Sequence, residues 1–403
     1  MPAAPLPPLI DDPGALAALV ARAAASPVLA FDVEFASSER FTPVLCLVQI
    51  GWPTDDGGVE AHLVDALAVD VGPLVALLAA PRVVIAHGAR QDVALLATRH
   101  GHAVSGLFDT QVAAAFLGLG DQVGYGRLVE AELGHGVDKE QQWTAWEKRP
   151  LSPAQLRYAL ADVTYLPPLY ARLGAALDRR GRRAWAEAES AAMVAEALAA
   201  AGAGPDDAWR GLGGARGLDR ASLCALRELA AWRLTEATRR DVPIGRIADE
   251  RVLLDLARKR PRGAAGLRGV RSVVPDDELA AAVAVALARA QARLGAGDVP
   301  EAPALEPNPP RVGVWAEIIL ALVAEASARE QVAARLLATR ADVERLARAV
   351  DRGGLDAAAG HPLLEGWRGE LVGRTILAWL GGKVGLFASV GAPLGLAAVD
   401  ESR

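Results

Sequence analysis

The sequence predicts an α/β domain followed by two all-α domains of the helical-bundle type. Short apolar runs alternate with helical patterns over about the first 180 residues, which is typical of a layered α/β domain. Only helical periodicity follows, and a proline-rich stretch interrupts it. We therefore expect an α/β domain over 1–205, a first bundle over 215–296, a stiff linker over 297–311 and a second bundle over 312–395.

Four apolar runs predict the strands of the first domain, at Pro27–Phe35, Val44–Trp52, Val59–Val64 and Arg82–Ala86. A turn-like stretch over residues 37–43 separates the first two runs and suggests a long hairpin. Helical patterns follow at Gln91–His100, Thr110–Leu117 and Tyr125–Leu133. A further helix begins at Ser152, which can cap it in a capping box with Gln155.

The remainder of the chain has the pattern of helices. Arg183–Ala201 is an alanine-rich helix, and helical units follow from Leu218 to about Leu294 and from Val312 to about Phe387. The two units are similar in length, which leaves a duplicated module possible, although their sequences do not align convincingly.

Composition indicates a globular protein with a buried core, since 52% of the residues are apolar and 23% are charged. Cys46 and Cys224 cannot form a disulfide framework and suggest a reducing compartment. The longest uncharged stretch, Val384–Val399, is too short and too interrupted for a membrane span. The N-terminus lacks the basic cluster of a secretory signal. We therefore expect a cytoplasmic protein with no membrane partner, acting as a monomer.

Charge is unevenly distributed along the chain. The net charge is −6, but residues 216–271 hold 14 basic and 7 acidic residues, a local balance of +7. A basic block of this kind indicates a nucleic-acid-binding surface. The alternative is an arginine-rich solvated helical face.

Two acids lie in the first predicted strand. Asp32 and Glu34 are two residues apart and therefore point to the same face of the sheet. Both faces of this strand are predicted to be buried, and two like charges at neighbouring buried sites repel each other. A divalent cation would offset this cost, because hard cations prefer carboxylate oxygens. The alternative is a strand end that opens to solvent.

Three further residues could join this pair. Asp92 falls in the first turn of the helix after the fourth strand, where the helix dipole by itself also favours an acid. Tyr158 and Asp162 are four residues apart on the helix capped by Ser152, so they share a face. Taken singly, each of these signals is more typical of structure than of function.

Taken together, the four acids and the tyrosine resemble the tyrosine-containing branch of the DEDD exonuclease superfamily. The surrounding segments over about residues 9–180 are similar to ribonuclease D, namely Phe31-Asp32-Val33-Glu34-Phe35, Val48-Gln49-Ile50, His87-Gly88-Ala89-Arg90-Gln91-Asp92, Phe108-Asp109-Thr110-Gln111, and Arg149-Pro150-Leu151-Ser152 through Tyr158-Ala159-Leu160-Ala161-Asp162-Val163. The resemblance implies an RNase H-like fold with a mixed sheet flanked by helices. It also implies two metal ions bound by Asp32, Glu34, Asp92 and Asp162, with Tyr158 orienting the attacking water.

Ligation by oxygen alone favours Mg²⁺ or Mn²⁺ over zinc as the two implied cations. Two such ions roughly 3.5 to 4 Å apart can hold the attacking and the leaving oxygen of a phosphodiester. Tyr158 has an ordinary pKa near 10, which suits a hydrogen-bonding group better than a base. None of the six histidines shows metal-ligand spacing, and His87 is either a substrate contact or a hydrogen-bonded loop residue.

The segment that begins at Leu223 resembles the HRDC module, a helical bundle found at the C-terminal side of ribonuclease D and in some helicases. Its apolar positions, such as Leu226 and Leu229, fit one helix face and indicate packing. The second helical unit matches a second such module by position, with a weak sequence match. The candidate nucleic-acid-binding residues are basic, namely Arg239, Arg240, Arg246, Arg258, Lys259, Arg260 and Arg262.

Three functions are compatible with these patterns. The first is a 3′-to-5′ exoribonuclease that trims tRNA precursors and other structured RNAs and releases nucleoside 5′-monophosphates. The second is a DNA 3′-to-5′ exonuclease, and the third is a catalytically silent nucleic-acid-binding protein. The presence of all five site residues counts against the third. The exonuclease-then-bundle order, without helicase or polymerase motifs, favours the first.

Overall fold

A five-stranded mixed sheet forms the centre of the α/β domain in the computed structural model. Its strands are β1 Val28–Ala36, β2 Val44–Pro53, β3 Val59–Asp65, β4 Val83–Ala86 and β5 Leu107–Asp109, in the spatial order β3-β2-β1-β4-β5. The first three strands pair antiparallel, whereas β4 and β5 extend the sheet parallel to β1. The mixed sheet and its first hairpin are therefore confirmed. The three-residue β5 is missing from the sequence prediction because so short a strand has no readable periodicity.

The structure describes residues 6–37, 39–137, 141, 144–270, 277–301, 309–387 and 394–399. The end of the predicted basic block, residues 302–308 of the predicted linker and residues 388–393 of the uncharged C-terminal stretch lie outside the described residues.

Helices cover both faces of the sheet. They are α1 Pro13–Ala24, α2 Gly72–Ala79, α3 Arg90–His100, α4 Thr110–Phe116, α5 Tyr125–Leu133, α6 Pro153–Thr164, α7 Leu166–Arg179 and α8 Arg183–Ala201. Leu29, Phe31 and Val33 of β1 are buried in the core formed with α1, α2 and α3. The opposite face of β1 carries Asp32 and Glu34 and lies toward α6 and α7.

The start of α6 confirms the predicted capping box. The Ser152 hydroxyl accepts a 3.2 Å hydrogen bond from the Gln155 backbone N–H, and the Ser152 N–H donates to the Gln155 side-chain oxygen at 2.9 Å. This cap fixes where the helix begins, and hence the face on which Tyr158 and Asp162 project.

The first helical unit, residues 220–295, has its own core. Its helices are α9 Arg220–Arg240, α10 Ile244–Ile247, α11 Glu250–Lys259, α12 Gly263–Leu267 and α13 Asp277–Gly295, and the core also includes the preceding Trp209. Its contacts with the α/β domain include polar pairs beside the loop that follows β1. The Asp241 carboxylate accepts from the Thr42 N–H at 3.2 Å and pairs with Arg40 at 3.3 Å. Arg246 pairs with Glu39 at 3.1 Å.

The second helical unit, residues 310–398, consists of α14 Pro310–Glu330, α15 Ala334–Leu337, α16 Arg340–Gly353, α17 Gly366–Arg368, a π-helical turn Gly369–Gly373, α18 Arg374–Leu380 and a hairpin of β6 Val384–Phe387 and β7 Gly395–Ala398. The prediction that this unit is helical as far as Phe387 is wrong at its end. Gly381 and Gly382 stop α18, and Gly382 adopts a φ of 72° that favours glycine.

The second unit shares an apolar core with the α/β domain. The Trp367 ring lies 4.9 Å from that of Phe116 and stacks on Trp185 at 5.7 Å. The buried Arg182 guanidinium donates to the carbonyl oxygens of Phe116 and Glu330, at 3.0 and 2.8 Å. The two helical units are thus attached to the α/β domain in different ways.

Two expectations about exposure can be compared with the structure. Cys46 and Cys224 are unpaired and buried, as expected. Within the described ranges, every helix is too short or too polar to cross a membrane.

Candidate metal centre

Three carboxylates converge where α6 crosses the sheet. Asp32 and Glu34 project from one face of β1, and α6 places Asp162 beside them. Each of the three offers an oxygen, and these oxygens all lie within 4.8 Å of one another. All three side chains are half-buried, so the cluster is recessed but open to solvent.

Burial and mutual repulsion raise the pKa values of these acids. The pKa of Glu34 rises to about 10, first through burial and then through the charges of Asp32, Asp162 and Asp92. Burial raises the pKa of Asp162 to about 7. Burial and the Asp162 charge raise the pKa of Asp32 well above its ordinary range. Full ionisation of the cluster is therefore unfavourable unless a positive charge is added.

Asp92 lies in the first turn of α3, as the sequence predicts, and it stands outside the group of three. It is still close enough for its charge to raise the pKa of Glu34. Burial, followed by the charges of Asp32 and Asp109, raises the pKa of Asp92 itself. The structure therefore places all four predicted acids in one electrostatically coupled region, with Asp92 farther from the centre.

The loop that leads to Asp92 is held by Asp109, a residue to which sequence reasoning gave no role. The buried Asp109 carboxylate accepts four backbone hydrogen bonds, from Gly88 at 3.0 Å, Ala89 at 2.9 Å, Gln111 at 2.8 Å and Val112 at 3.2 Å. It therefore caps α4 and also fastens the start of α3. In the sequence, an acid directly before a predicted helix start indicates the α4 cap. The bonds from Gly88 and Ala89 have no such local signal.

Tyr158 projects from the same face of α6 as Asp162. Burial, and then the Asp162 charge, raise the pKa of the Tyr158 phenol far above its ordinary value, so the hydroxyl stays protonated. Trp146 packs against the Tyr158 ring at 6.0 Å. Arg149 fixes the Trp146 loop, because its guanidinium binds both Asp65 oxygens at 2.6 Å and the Trp146 carbonyl at 2.7 Å.

His87 is enclosed by hydrogen bonds. Its Nδ1 lies 2.9 Å from the Thr110 hydroxyl and its Nε2 lies 3.0 Å from the Val123 carbonyl oxygen. Burial lowers the pKa of the ring. The structure therefore favours the hydrogen-bonded loop residue over a substrate contact.

The residues of the cluster fit a hard divalent cation. All of the donors are carboxylate oxygens, which suit Mg²⁺ or Mn²⁺. One Asp162 oxygen, Oδ2, is buried and has no hydrogen-bond partner among the described residues. A cation would both satisfy this oxygen and relieve the repulsion.

The predicted basic residues lie on the first helical unit, and several already have partners. Arg239 and Arg240 pair with Glu236. Lys259 donates to the Gly269 carbonyl at 2.7 Å and Arg260 to the Ser222 hydroxyl at 2.6 Å, while Arg258 lies 4.0 Å from Asp255 and Arg262 is exposed. Lys259, Arg260 and Arg262 line a cavity of about 580 Å³ beside α9 and α13.

Comparisons with known families agree with this architecture. Residues 8–178 match the profile of a 3′-5′ exonuclease domain, and residues 222–277 match the HRDC domain. The chain is similar to ribonuclease D of Acidiphilium cryptum, with 40% identity over 392 residues that cover 96% of each chain. It is also similar to ribonuclease D of Nitrobacter hamburgensis, with 36% identity over 94% of this chain and 96% of the relative.

Two solved structures share the architecture. Escherichia coli RNase D, an exoribonuclease involved in structured RNA processing, matches with a TM-score of 0.79 and 28% identity over 92% of this chain and 98% of that one. A protein from Bifidobacterium adolescentis matches with a TM-score of 0.65 and 22% identity over 94% of this chain and 97% of that one. This second match shows that the two proteins share a fold.

Proposed function

The chain belongs to the ribonuclease D family of 3′-to-5′ exoribonucleases, and we propose that it trims the 3′ ends of tRNA precursors and other structured RNAs. The observation that carries the proposal is the convergence of Asp32, Glu34 and Asp162 within 4.8 Å, with Asp92 coupled to them. We assign residues 1–205 to the exonuclease domain, and we propose that the protein acts as a monomer, because one chain supplies the whole site.

Each site residue has a proposed role in hydrolysis. Asp32, Glu34, Asp92 and Asp162 would hold two divalent cations, Mg²⁺ or Mn²⁺, which supply positive charge near the attacking and leaving oxygens of the phosphodiester. The protonated Tyr158 hydroxyl orients the attacking water by a hydrogen bond. The water gives up a proton to solvent as its oxygen bonds to phosphorus, and the bond to the preceding 3′ oxygen breaks. That oxygen takes a proton, and a nucleoside 5′-monophosphate leaves.

The first helical unit supplies the proposed RNA-holding surface, and we assign residues 215–296 to this HRDC domain. An acidic site repels a polyanion, so cations elsewhere on the protein are needed to retain the RNA body. The cavity bordered by Lys259, Arg260 and Arg262 offers such cations, and it needs no base-specific contact. We also propose phosphate contacts at Arg258 and, at the other end of α9 from this cavity, at Arg239 and Arg240, whose acidic partners would be replaced by phosphate.

We also propose that residues 312–395, after the 297–311 linker, form a second HRDC-like domain. Helices α9 and α14 are both 21 residues long, and each ends at a residue with left-handed backbone. A four-residue helix follows each of them, and both short helices end at an alanine with extended backbone before the next capped helix. The corresponding residues are Asp241 and Gln331, Ala248 and Ala338, and Asp249 and Thr339. This shared geometry supports a duplicated module despite the weak sequence match.

A digestion of matched RNA and DNA strands tests the proposed activity. Strands of one sequence, labelled at the 3′ or the 5′ end, are incubated with Mg²⁺, with Mn²⁺ or with excess chelator. The proposal expects immediate release of the 3′ label as a mononucleotide from RNA, and no release in chelator. Faster digestion of DNA would favour the DNA exonuclease instead, and internal cuts or full activity in chelator would contradict the proposal.

A further inference from the structure

Gln49 on β2 is a polar side chain inside an otherwise apolar buried strand. It has no solvent exposure, and neither its amide oxygen nor its amide nitrogen has a hydrogen-bond partner among the described residues. An unsatisfied buried amide is costly, so the side chain needs a hydrogen-bond partner close to it.

The register of the sheet shows where this partner lies. Gln49 stands directly opposite Asp32 in the antiparallel β1–β2 pair, and opposite side chains share a face with Cβ atoms about 4.5 to 5.5 Å apart. On its other side Gln49 faces Leu63 of β3. The overlying helix closes the face, since a Cβ atom at Gly51 would lie 3.7 Å from Val163 of α6. Gln49 is thus enclosed between an apolar neighbour and Asp32.

We propose that Gln49 is a positioning residue that donates an amide N–H to the Asp32 carboxylate and so orients this acid for cation binding. The inference rests on the proposed function, because it needs a cation at the cluster. A carboxylate has about four lone-pair sites, so one can accept from the amide while others face the cation. Direct substrate contact is excluded by the complete burial of Gln49.

An uncharged donor suits this position. Metal-binding carboxylates are usually held by hydrogen bonds from surrounding groups, and loss of such a bond typically weakens metal binding or activity about 10- to 100-fold. An arginine or lysine here would neutralise Asp32 itself and compete with the cation. The glutamine amide orients the carboxylate while its full charge remains available to the cation.

The test compares Gln49→Met, which keeps the length but removes the amide, with Leu63→Met as the matched packing control. Leu63 is fully buried on the neighbouring strand. Mn²⁺ binding to the full-length protein is measured by calorimetry. We expect about 10- to 100-fold weaker binding for Gln49→Met and unchanged binding for Leu63→Met. In chelator, Gln49→Met should melt at or above the wild-type temperature, because an unsatisfied amide is removed.

A second variant and a kinetic measurement separate this role from simple packing. Gln49→Leu also removes the amide with a different side-chain shape, and it should bind Mn²⁺ as weakly as Gln49→Met does. Both Gln49 variants should show a lower kcat on RNA with little change in KM, since no RNA contact is lost. If Gln49→Met binds Mn²⁺ as tightly as wild type, whether or not its melting temperature falls, the inference about Gln49 is overturned and the proposed function is not. Failure of the wild-type protein to bind Mn²⁺ would overturn the proposed function as well.

Discussion

The Tyr125 hydroxyl donates a 2.8 Å hydrogen bond to the carbonyl oxygen of Ala161, the residue before Asp162. Ala161 lies in the last turn of α6, where carbonyl groups have no partner within the helix. Tyr125 is the first residue of α5, so the bond ties two helices together beside the acidic cluster.

Tyr125→Phe should therefore destabilise the protein. The variant leaves a half-buried carbonyl without its donor, which typically costs about 1 to 3 kcal/mol. Urea unfolding in chelator measures the change without any contribution from metal binding. Tyr165→Phe is the matched control, because its hydroxyl makes no hydrogen bond among the described residues. Equal stability of the two variants would show that the Tyr125 bond contributes nothing.

Asp162→Asn should abolish RNA cleavage, and it should raise the melting temperature of the metal-free protein. Removing one charge relieves the repulsion that raises the pKa values of Asp32 and Glu34. Calorimetry in chelator gives the stability, and a 3′-label assay with Mg²⁺ gives the activity. Asp55→Asn, at an exposed turn, is the control for charge alone. Cleavage by Asp162→Asn at the wild-type rate would refute the assignment of Asp162 as a metal ligand.

The free energy of unfolding of the metal-free protein should fall as the pH rises, because of the acids at this site. In the folded protein the pKa of Asp162 is raised to about 7 and that of Glu34 to about 10. The folded state therefore keeps protons that the unfolded state releases at lower pH. Their contribution is fully present below about pH 4, where unfolded carboxyl groups are also protonated, and it is lost as the pH rises through the folded values. Melting temperatures in chelator between pH 5.5 and 9, roughly, should fall more steeply for wild type than for Asp162→Asn. Parallel profiles would contradict the prediction.

Tyr158→Phe should lower turnover on the order of 10- to 1,000-fold while RNA affinity and Mn²⁺ affinity stay close to wild type. The reason is that the hydroxyl is assigned to orienting water, whereas the ring packs on Trp146 and is retained. Single-turnover kinetics and binding of labelled RNA are measured together, so that a folding defect is recognised. An unchanged rate would mean that Tyr158 is a packing residue of α6.

The basic surface should make RNA binding depend on salt. Changing Arg258, Lys259, Arg260 and Arg262 together to Ala should weaken binding of tRNA-like RNA, and each lost phosphate contact should reduce the slope of log K against log salt by roughly 0.7 to 0.9. Short single strands should be cut at nearly the normal rate.

Two further variants refine this test of the basic surface. Lys259 and Arg260 also make hydrogen bonds within the unit, so Arg262→Ala is tested separately. Arg289→Ala, on the opposite side of α13, is the charge control. If the quadruple variant and wild type bind tRNA-like RNA with the same affinity and the same salt slope, these residues form a solvated surface with no role in RNA binding.

The parts of the fold that the sequence predicts well are those set by local rules. Two apolar runs and the turn between them predict the β1–β2 hairpin, and Ser152 with Gln155 predicts the start of α6. Placing Asp32 and Glu34 on one face follows from the two-residue period of a strand.

What the sequence does not predict depends on contacts between distant segments. Asp109 is readable as a helix cap, but its bonds to Gly88 and Ala89 require the parallel pairing of β4 and β5. The burial of Gln49 likewise depends on α6 lying across β2, more than 100 residues later. The β6–β7 hairpin lies in a segment where glycine and small residues give no clear period.

The unequal attachment of the two helical units affects how mutations should be interpreted. The first unit has a separate core, so a destabilising change within α9 or α11 can unfold that unit locally while the catalytic residues keep their places. The second unit and the exonuclease domain share one core, in which Trp367 packs on Phe116 and Trp185. We therefore expect the two to unfold together as one cooperative unit. A variant of α14–α18 that loses activity should be tested for loss of the catalytic fold before it is credited with a lost RNA contact.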